Sequence, residues 1–484
     1  MNEVKTYTSL LPYQERAVDK LKQLKIGALY MEMGTGKTRV AIELIKLRCN
    51  AGKIDRVLWL CPCNIKSDIR RGIAEHSNLC DIGILDIVGI ETLSTSVREC
   101  SRLLELVKSH KVYLIVDESS LVKNHAALRT IHIQQLAENC AYKLILNGTP
   151  ISRNEADLYA QWYILDWRIL GYKSYYSFSA NHLEYYTVRL PSGAEIKTDQ
   201  IKRVLNVDYL TEKIAPYTYQ TKKSEQMELP KKRYHVCRFS LTDSQKIHYE
   251  NVKDTYLCNV DDFRNETIYK LFTALQRVSS GRTVLTGPLE RMQTQREFKN
   301  PIDNPRIQCL MNDALSCVRD EKVIIFCKYQ DEVDEIGEAL DSRNIQWVPF
   351  TGKTLEKQRQ KNLENFRSDV QIMISNKSCG AFGLNLQFCH NVIFYDNDFD
   401  FATRVQAEDR VHRIGQTEEV NIYDICADNT IDAFIAENLT KKSNMLSAFR
   451  HYIAKLRGKK YDELKADSDR AESEPKGRRG KKIS

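Results

Sequence analysis

Met33-Gly34-Thr35-Gly36-Lys37-Thr38 follows the apolar run Ala28–Met31 and opens a stretch in which Val40, Ala41, Leu44 and Ile45 recur at helical spacing. A glycine-rich turn between a strand and a helix is the setting of a phosphate-binding loop. Its glycines let backbone N–H groups approach phosphate oxygens, the helix N-terminus adds partial positive charge, and Lys37 can reach the β- and γ-phosphates. Met33, Gly34, Thr35, Gly36, Lys37 and Thr38 are therefore read as nucleotide contacts, with Thr38 also a Mg²⁺ ligand. The strict spacing of such loops carries a first glycine where this chain has Met31.

Outward from the loop, short β-branched and aromatic runs alternate with helical stretches. They are Ala28–Met31, Val57–Cys61, Leu85–Val88, Val112–Val116 and Lys143–Leu146, then Val323–Cys327, Gln371–Ile374, Val392–Tyr395 and Val420–Ile425. Nearly continuous apolar strands separated by helices imply parallel sheets covered on both faces. Two such series imply an α/β protein of two tandem parallel-sheet lobes. Between them, residues 155–300 are rich in Tyr, Lys and Gln, with mostly helical patterning. The expected division is a first lobe over 1–225 with a helical insertion after about 155, a linker and helical insertion over 226–303, a second lobe over 304–455, and a charged, disordered basic tail over 456–484.

A length of 484 residues agrees with more than one core, and the net charge of +8 only hints at a polyanionic partner. No apolar run reaches bilayer length, and Met1-Asn2-Glu3-Val4-Lys5 does not read as a signal peptide. The 14 cysteines are scattered, several inside apolar strand runs, which suits small buried hydrophobes in a reducing cytosol rather than metal ligands.

Leu114-Ile115-Val116-Asp117-Glu118 is an apolar strand ending in two carboxylates. A strand-end Asp suits Mg²⁺, and the adjacent Glu can orient and polarise an attacking water. Such a pair also caps helices, and the preceding phosphate loop is what favours the catalytic reading. A further strand ends in Asn147-Gly148-Thr149-Pro150. In Gln406-Ala407-Glu408-Asp409-Arg410-Val411-His412-Arg413-Ile414-Gly415-Gln416, the residues Gln406, Arg410 and Arg413 recur at i, i+4 and i+7, so one helix face would present two guanidiniums. A solvated basic helix would show the same spacing.

The phosphate loop, Asp117-Glu118 and Gly148-Thr149-Pro150 together resemble motifs I, II and III of superfamily-two helicases. Lys123-Asn124, Asn154 and the Arg413-Ile414-Gly415-Gln416 ending resemble the Swi/Snf branch. Leu11-Pro12-Tyr13-Gln14 resembles the Q motif, Gly380–Leu386 resembles motif V, and the Gln406–Gln416 stretch is similar to motif VI. Thr351-Gly352 with Arg359 and Phe366 resembles the preceding family block, and Leu241–Gln245 with Tyr249 resembles the segment entering the second lobe. The resemblance implies RecA-like lobes, ATP and Mg²⁺. It assigns catalysis to Lys37, Asp117, Glu118, Arg410 and Arg413, with Arg413 the arginine finger, and nucleotide contacts to Gln14, Gly383 and Gln406. Two departures stand out. Ser120 replaces the usual His, which helps link the ATP and nucleic-acid sites, and Asp398-Phe399-Asp400-Phe401 replaces the usual Trp-Asn-Pro.

By motif position, Asn64, Lys66, Glu91, Thr92, Lys377 and Ser378 are the expected DNA contacts. No base-reading module appears, so binding is expected to be independent of sequence. The expected function is an ATP-dependent double-stranded DNA translocase or remodeller, acting on forks or branched DNA. The alternatives are a strand-separating helicase and, from another class, a catalytically silent DNA-binding scaffold. A motor without accessory modules points to a bacterial or phage-encoded protein of the cytoplasm.

Overall fold

Alternation of side chains across a strand explains how the apolar runs are used. In one computed structural model, residues 3–148, 155–189, 195–226, 229–260, 265–376, 386–397, 399, 401–413, 415–440, 448–449 and 452–458 are described. The strands of the first half are β1 (Ile26–Met31), β2 (Arg56–Cys61), β3 (Leu85–Gly89), β4 (Val112–Val116) and β5 (Tyr142–Asn147). A hairpin follows, β6 (Leu183–Arg189) and β7 (Glu195–Val204), and then β8 (Thr218–Thr221). The second half has β9 (Lys232–Phe239), β10 (Arg282–Val284), β11 (Thr294–Arg296), β12 (Val323–Cys327), β13 (Trp347–Phe350), β14 (Ile372–Asn376), β15 (Asn391–Phe394) and β16 (Val420–Ala427).

Two six-stranded sheets result, in the orders β3-β2-β4-β5-β1-β8 and β13-β14-β12-β15-β16-β9, and every pairing within them is parallel. This is the tandem RecA-like arrangement. In the first sheet Leu58, Leu60, Leu114 and Val116 face one apolar cluster, and Trp59, Cys61, Tyr113 and Ile115 face the other. The second sheet divides in the same way, with Val323 and Ile325 on one side and Ile324 and Phe326 on the other. Both faces are therefore dry, as parallel sheets require. Cys49, Cys61, Cys100, Cys309, Cys327, Cys389 and Cys426 are buried as small hydrophobes. Among the described residues no helix is long and apolar enough to cross a membrane, and no cluster could hold a metal through His, Cys, Asp and Glu alone.

The stretch between the two strand series is only partly helical. Helices occupy Leu158–Leu170, Tyr175–His182, Val207–Ile214, Asp243–Leu257 and Asn265–Ser279. The same stretch also holds the β6–β7 hairpin, and it supplies an edge strand to each sheet. β8 pairs with β1, and β9 pairs with β16 along its whole length. Most β9 side chains are exposed, which removes the apolar run that marks a buried strand. The Asp243–Leu257 and Asn265–Ser279 helices bury Tyr249, Val252, Leu271 and Phe272 in the apolar cluster that covers the second sheet.

Candidate active site

The phosphate loop, the Asp117-Glu118 pair and Gly148 emerge from the carboxyl ends of β1, β4 and β5, where such sheets bind ligands, while Gln14 lies in the helix Pro12–Leu21 that precedes β1. After β1 the chain turns through Gly34 and Gly36, at φ +76° and +79°, and enters the helix Lys37–Asn50. Gln14 and Tyr13 brace this turn. Gln14 Nε2 and the Tyr13 hydroxyl donate to the Thr35 carbonyl at 3.0 and 2.9 Å, and a Cβ on Gly36 would collide with Gln14 Nε2. The left-handed φ favours glycine at 36, and a side chain there would also displace the Gln14 amide from the Thr35 carbonyl. Thr35 turns its hydroxyl inward to the Glu32 carbonyl at 2.6 Å. Lys37 is buried and its Nζ donates to the Met31 carbonyl at 2.9 Å. Burial lowers its pKa, against the opposing charges of Glu118 and Asp117.

Asp117 and Glu118 leave β4 beside this lysine. Burial, and then the neighbouring Glu118 charge, push the Asp117 carboxyl up to about 7, with Lys37 opposing. Glu118 N–H donates to Asp117 Oδ1 at 2.9 Å. Glu118 itself sits at φ 50°, ψ 53°, a left-handed conformation that costs a residue other than Gly about 1–3 kcal/mol. Gly148, at the end of β5, packs on the phosphate loop, since a Cβ there would lie 3.3 Å from Met33 Cγ and 3.7 Å from Lys37 Nζ.

The second lobe contributes the arginines. Arg410 lies in the last turn of the helix Phe401–Val411, and its Nη2 reaches Met33 Sδ of the first lobe at 3.6 Å. Burial lowers its pKa, opposed by Glu118, Asp409, Asp68 and Asp117. Arg413 is lowered to about 10 by burial and by Arg410. The helix stops at Val411, so Arg413 does not continue a helical face as its spacing predicted. It stands in a bend closed by Gly415 at φ +94° and by the Gln416 N–H to Arg413 carbonyl bond at 3.0 Å. Gln416 anchors that bend by donating from Nε2 to the Cys389 carbonyl at 2.9 Å.

One cleft of about 1020 Å³, open space included, is lined by Met33, Gly34, Gly36, Lys37, Thr38, Asp117, Glu118, Arg410 and Arg413. The predicted loop, carboxylates and arginines thus meet in one place. The helix Lys66–His76 adds Asp68, Arg71 and Glu75 to the wall. Gln14, Thr35 and Gln406 are not part of the lining.

The expected DNA contacts of the first lobe also meet. The turn at Cys63–Ile65 lies against the start of the helix Thr92–Thr95, with the Cys63 N–H donating to Glu91 Oε2 at 2.9 Å and Cys63 Sγ 3.5 Å from Thr92 Oγ1. Lys66 is exposed beside them, and Thr92 is half-buried. Lys377, Ser378, Gly383, Thr149, Pro150, Asn154, Ile414, the side chain of Asn64 and residues 459–484 of the expected tail lie outside the described residues, whereas 456–458 continue a helix in which Arg457 donates to the Val260 carbonyl at 2.6 Å.

The sequence reading missed the groups that hold the arginine-bearing helix. Arg404, buried over the Phe394 ring at 3.5 Å, donates to Glu408 Oε1 at 2.7 Å, to Asp424 Oδ1 at 2.5 Å and to Asn397 Oδ1 at 2.5 Å. Glu408 also takes Lys232 Nζ and the Tyr234 hydroxyl of β9, both at 2.9 Å. Only the i, i+4 pair Arg404 and Glu408 is visible in the sequence.

Three family models match the chain: the SNF2-related domain over residues 66–300, the helicase conserved C-terminal domain over 306–415, and the type III restriction enzyme res subunit over 7–71. A probable chromatin-remodeling complex ATPase chain of Oryza sativa subsp. japonica is 24% identical over 446 residues, covering 86% of this chain and 38% of the relative. An uncharacterized ATP-dependent helicase of Bacillus subtilis, YqhH, is 24% identical over 469 residues, covering 90% of this chain and 78% of the relative. Among solved structures, the Sulfolobus solfataricus SWI2/SNF2 ATPase core in complex with dsDNA matches at 19% identity and a TM-score of 0.41, covering 94% of this chain and 95% of that one. The chain spans between 30% and 42% of the length of four of its curated relatives.

Proposed function

Because this chain belongs to the SNF2-type, helicase-like ATPases, we propose that it hydrolyses ATP between its lobes and couples each cycle to movement along double-stranded DNA. The observation that carries this reading is the single cleft in which Lys37, Asp117 and Glu118 of one lobe face Arg410 and Arg413 of the other. A scaffold without catalysis has no use for five such charged groups in one cleft, because enclosing charge is costly unless a ligand answers it.

The backbone amides of the loop and Lys37 bind the β- and γ-phosphates. The buried carboxylate of Asp117, destabilised as an anion where it stands, fits a cation beside it, and with Thr38 it would hold Mg²⁺. When bound, that ion neutralises charge on the phosphate oxygens. Glu118 orients a water and takes its proton as the water oxygen bonds to the γ-phosphorus and the bond to the β–γ bridging oxygen breaks. Arg410 and Arg413 stabilise the charge that develops, and only with the lobes together can they do so. On the DNA side, the Cys63–Lys66 turn and the Glu91–Thr92 turn form one surface for phosphate contacts, independent of sequence.

The test compares ATP turnover with and without duplex DNA, beside triplex displacement and unwinding of a forked duplex. The proposal expects stimulation by duplex and displacement of the third strand. Unwinding without triplex displacement would replace translocation with strand separation, and absence of turnover would leave the scaffold reading.

A further inference from the structure

The helix Leu158–Leu170 is apolar almost throughout, yet at its heart Gln161 is 0% exposed. A glutamine so enclosed needs polar partners, and its partners are informative. Gln161 Oε1 accepts from the Ser119 hydroxyl at 2.6 Å, and Gln161 Nε2 donates to the Asp157 carbonyl at 2.9 Å. Asn147 Nδ2, at the end of β5, donates to the same Ser119 hydroxyl at 3.3 Å. Ser119 is the residue directly after Glu118, whose backbone is held in the left-handed region. Trp162, the next residue of the helix, donates from Nε1 to the Tyr30 hydroxyl of β1 at 2.9 Å. The helix is thus tied by adjacent residues to the strand that leads into the phosphate loop and to the turn that carries Glu118.

We propose that Gln161 is a positioning residue for hydrolysis, holding Ser119 so that the strained turn keeps Glu118 aimed at the γ-phosphate. A conformation of that kind persists only while its surroundings over-determine it. Local bonds supply part of the restraint: the Glu118 N–H to Asp117 Oδ1 bond and the Leu121 N–H to Glu118 carbonyl bond at 2.9 Å. Those bonds stay within the turn and would move with it. The Ser119–Gln161 bond fixes the turn to a separate element. Ser120, which stands where the family resemblance expects His, is half-buried, and the buried tether of the acidic box runs through its neighbour Ser119.

The role in turnover rests on the proposed ATPase activity, whereas the positioning itself can be read without it. Three variants are compared with the wild type: Ser119→Ala, Gln161→Leu and the pair together. The pair replaces both partners of one buried bond with apolar groups, which folded proteins tolerate better than orphaning either partner. Each variant is assayed for binding of a fluorescent ATP analogue, for kcat and KM, and for backbone hydrogen exchange in the nucleotide-free protein. Expected are analogue affinity and KM within about twofold of wild type, and exchange at Glu118–Leu121 at least about tenfold faster while the Lys37–Asn50 helix is unchanged. The kcat should fall at least about tenfold in Gln161→Leu, and the pair should lose no more than Ser119→Ala alone, which removes the same bond together with the Asn147 Nδ2 to Ser119 hydroxyl bond. Wild-type exchange at Glu118–Leu121 in Gln161→Leu overturns the positioning, whether or not the protein turns over ATP. Multiplying losses in the pair, or a kcat within twofold of wild type beside faster exchange, overturn the coupling to Glu118. Absence of turnover in the wild type sinks the ATPase reading instead, and the exchange result still decides the tether.

Discussion

Asp117 shows how a residue proposed for catalysis can weaken the fold that carries it. Its carboxyl, pushed up to about 7 by burial and by Glu118, lies above the ~3.9 of an unfolded aspartate. Between those two values the folded protein holds more protons than the unfolded one, so stability falls as pH rises through that window. The cost is absent below about pH 4 and complete above about pH 7. Asp117→Asn, neutral throughout, is therefore expected to raise the melting temperature of the nucleotide-free protein by at least about 2 °C at about pH 8 and to leave it unchanged near pH 4. An equal gain at both pH values would remove charge burial as the cause. Arg413, lowered to about 10, remains charged at any neutral assay pH. Replacing it with alanine should cut kcat by ~10³ or more while analogue binding persists, and wild-type turnover in that variant would strip Arg413 of the role. These residues were legible because their chemistry lies in short contiguous motifs. Gln161 was not, because its partner Ser119 is 42 positions away and nothing in an apolar helix marks which polar residue has been enclosed.

At the scale of elements, continuous apolar runs identified the buried strands and polar alternation hid the edges. β4 and β12 are buried at every position and were plain in the sequence. β8 reads Thr-Tyr-Gln-Thr, Pro349 interrupts the four-residue Trp-Val-Pro-Phe of β13, and β9 is mostly residues that face solvent, with Phe239 alone buried. The Phe401–Val411 helix ends sooner than periodicity suggested, because the turn through Gly415 needs a left-handed residue. What aims that helix is the Arg404 cluster. Arg404→Met should leave Asp424, only partly replaced by its other donor Asn397, beside Glu408 without a guanidinium, and removing one partner of a buried ion pair costs about 3–5 kcal/mol. Urea unfolding followed by a probe in the second lobe would measure that loss. A change under about 1 kcal/mol would mean that the cluster is not what anchors the helix.

For the whole molecule, the helix Lys66–His76 matters because it serves two surfaces at once. Its first residue, Lys66, is exposed beside the Glu91–Thr92 turn, while Asp68, Arg71 and Glu75 farther along line the ATP cleft near Arg410 and Arg413. Under the proposed function, a single helix reaching both surfaces would carry lobe closure at the nucleotide to the DNA side. If Lys66 contacts a phosphate, its removal acts through counterion release and not through base recognition. The Lys66→Ala protein should then bind duplexes of unrelated sequence with uniformly lower affinity. Its slope of log affinity against log salt should be shallower by about 0.9, the share of one neutralised phosphate. Fluorescence anisotropy on two unrelated duplexes over a salt series provides the measurement. An unchanged slope would place Lys66 off the DNA path, and a loss confined to one duplex would point to base reading, for which the chain carries no recognisable module.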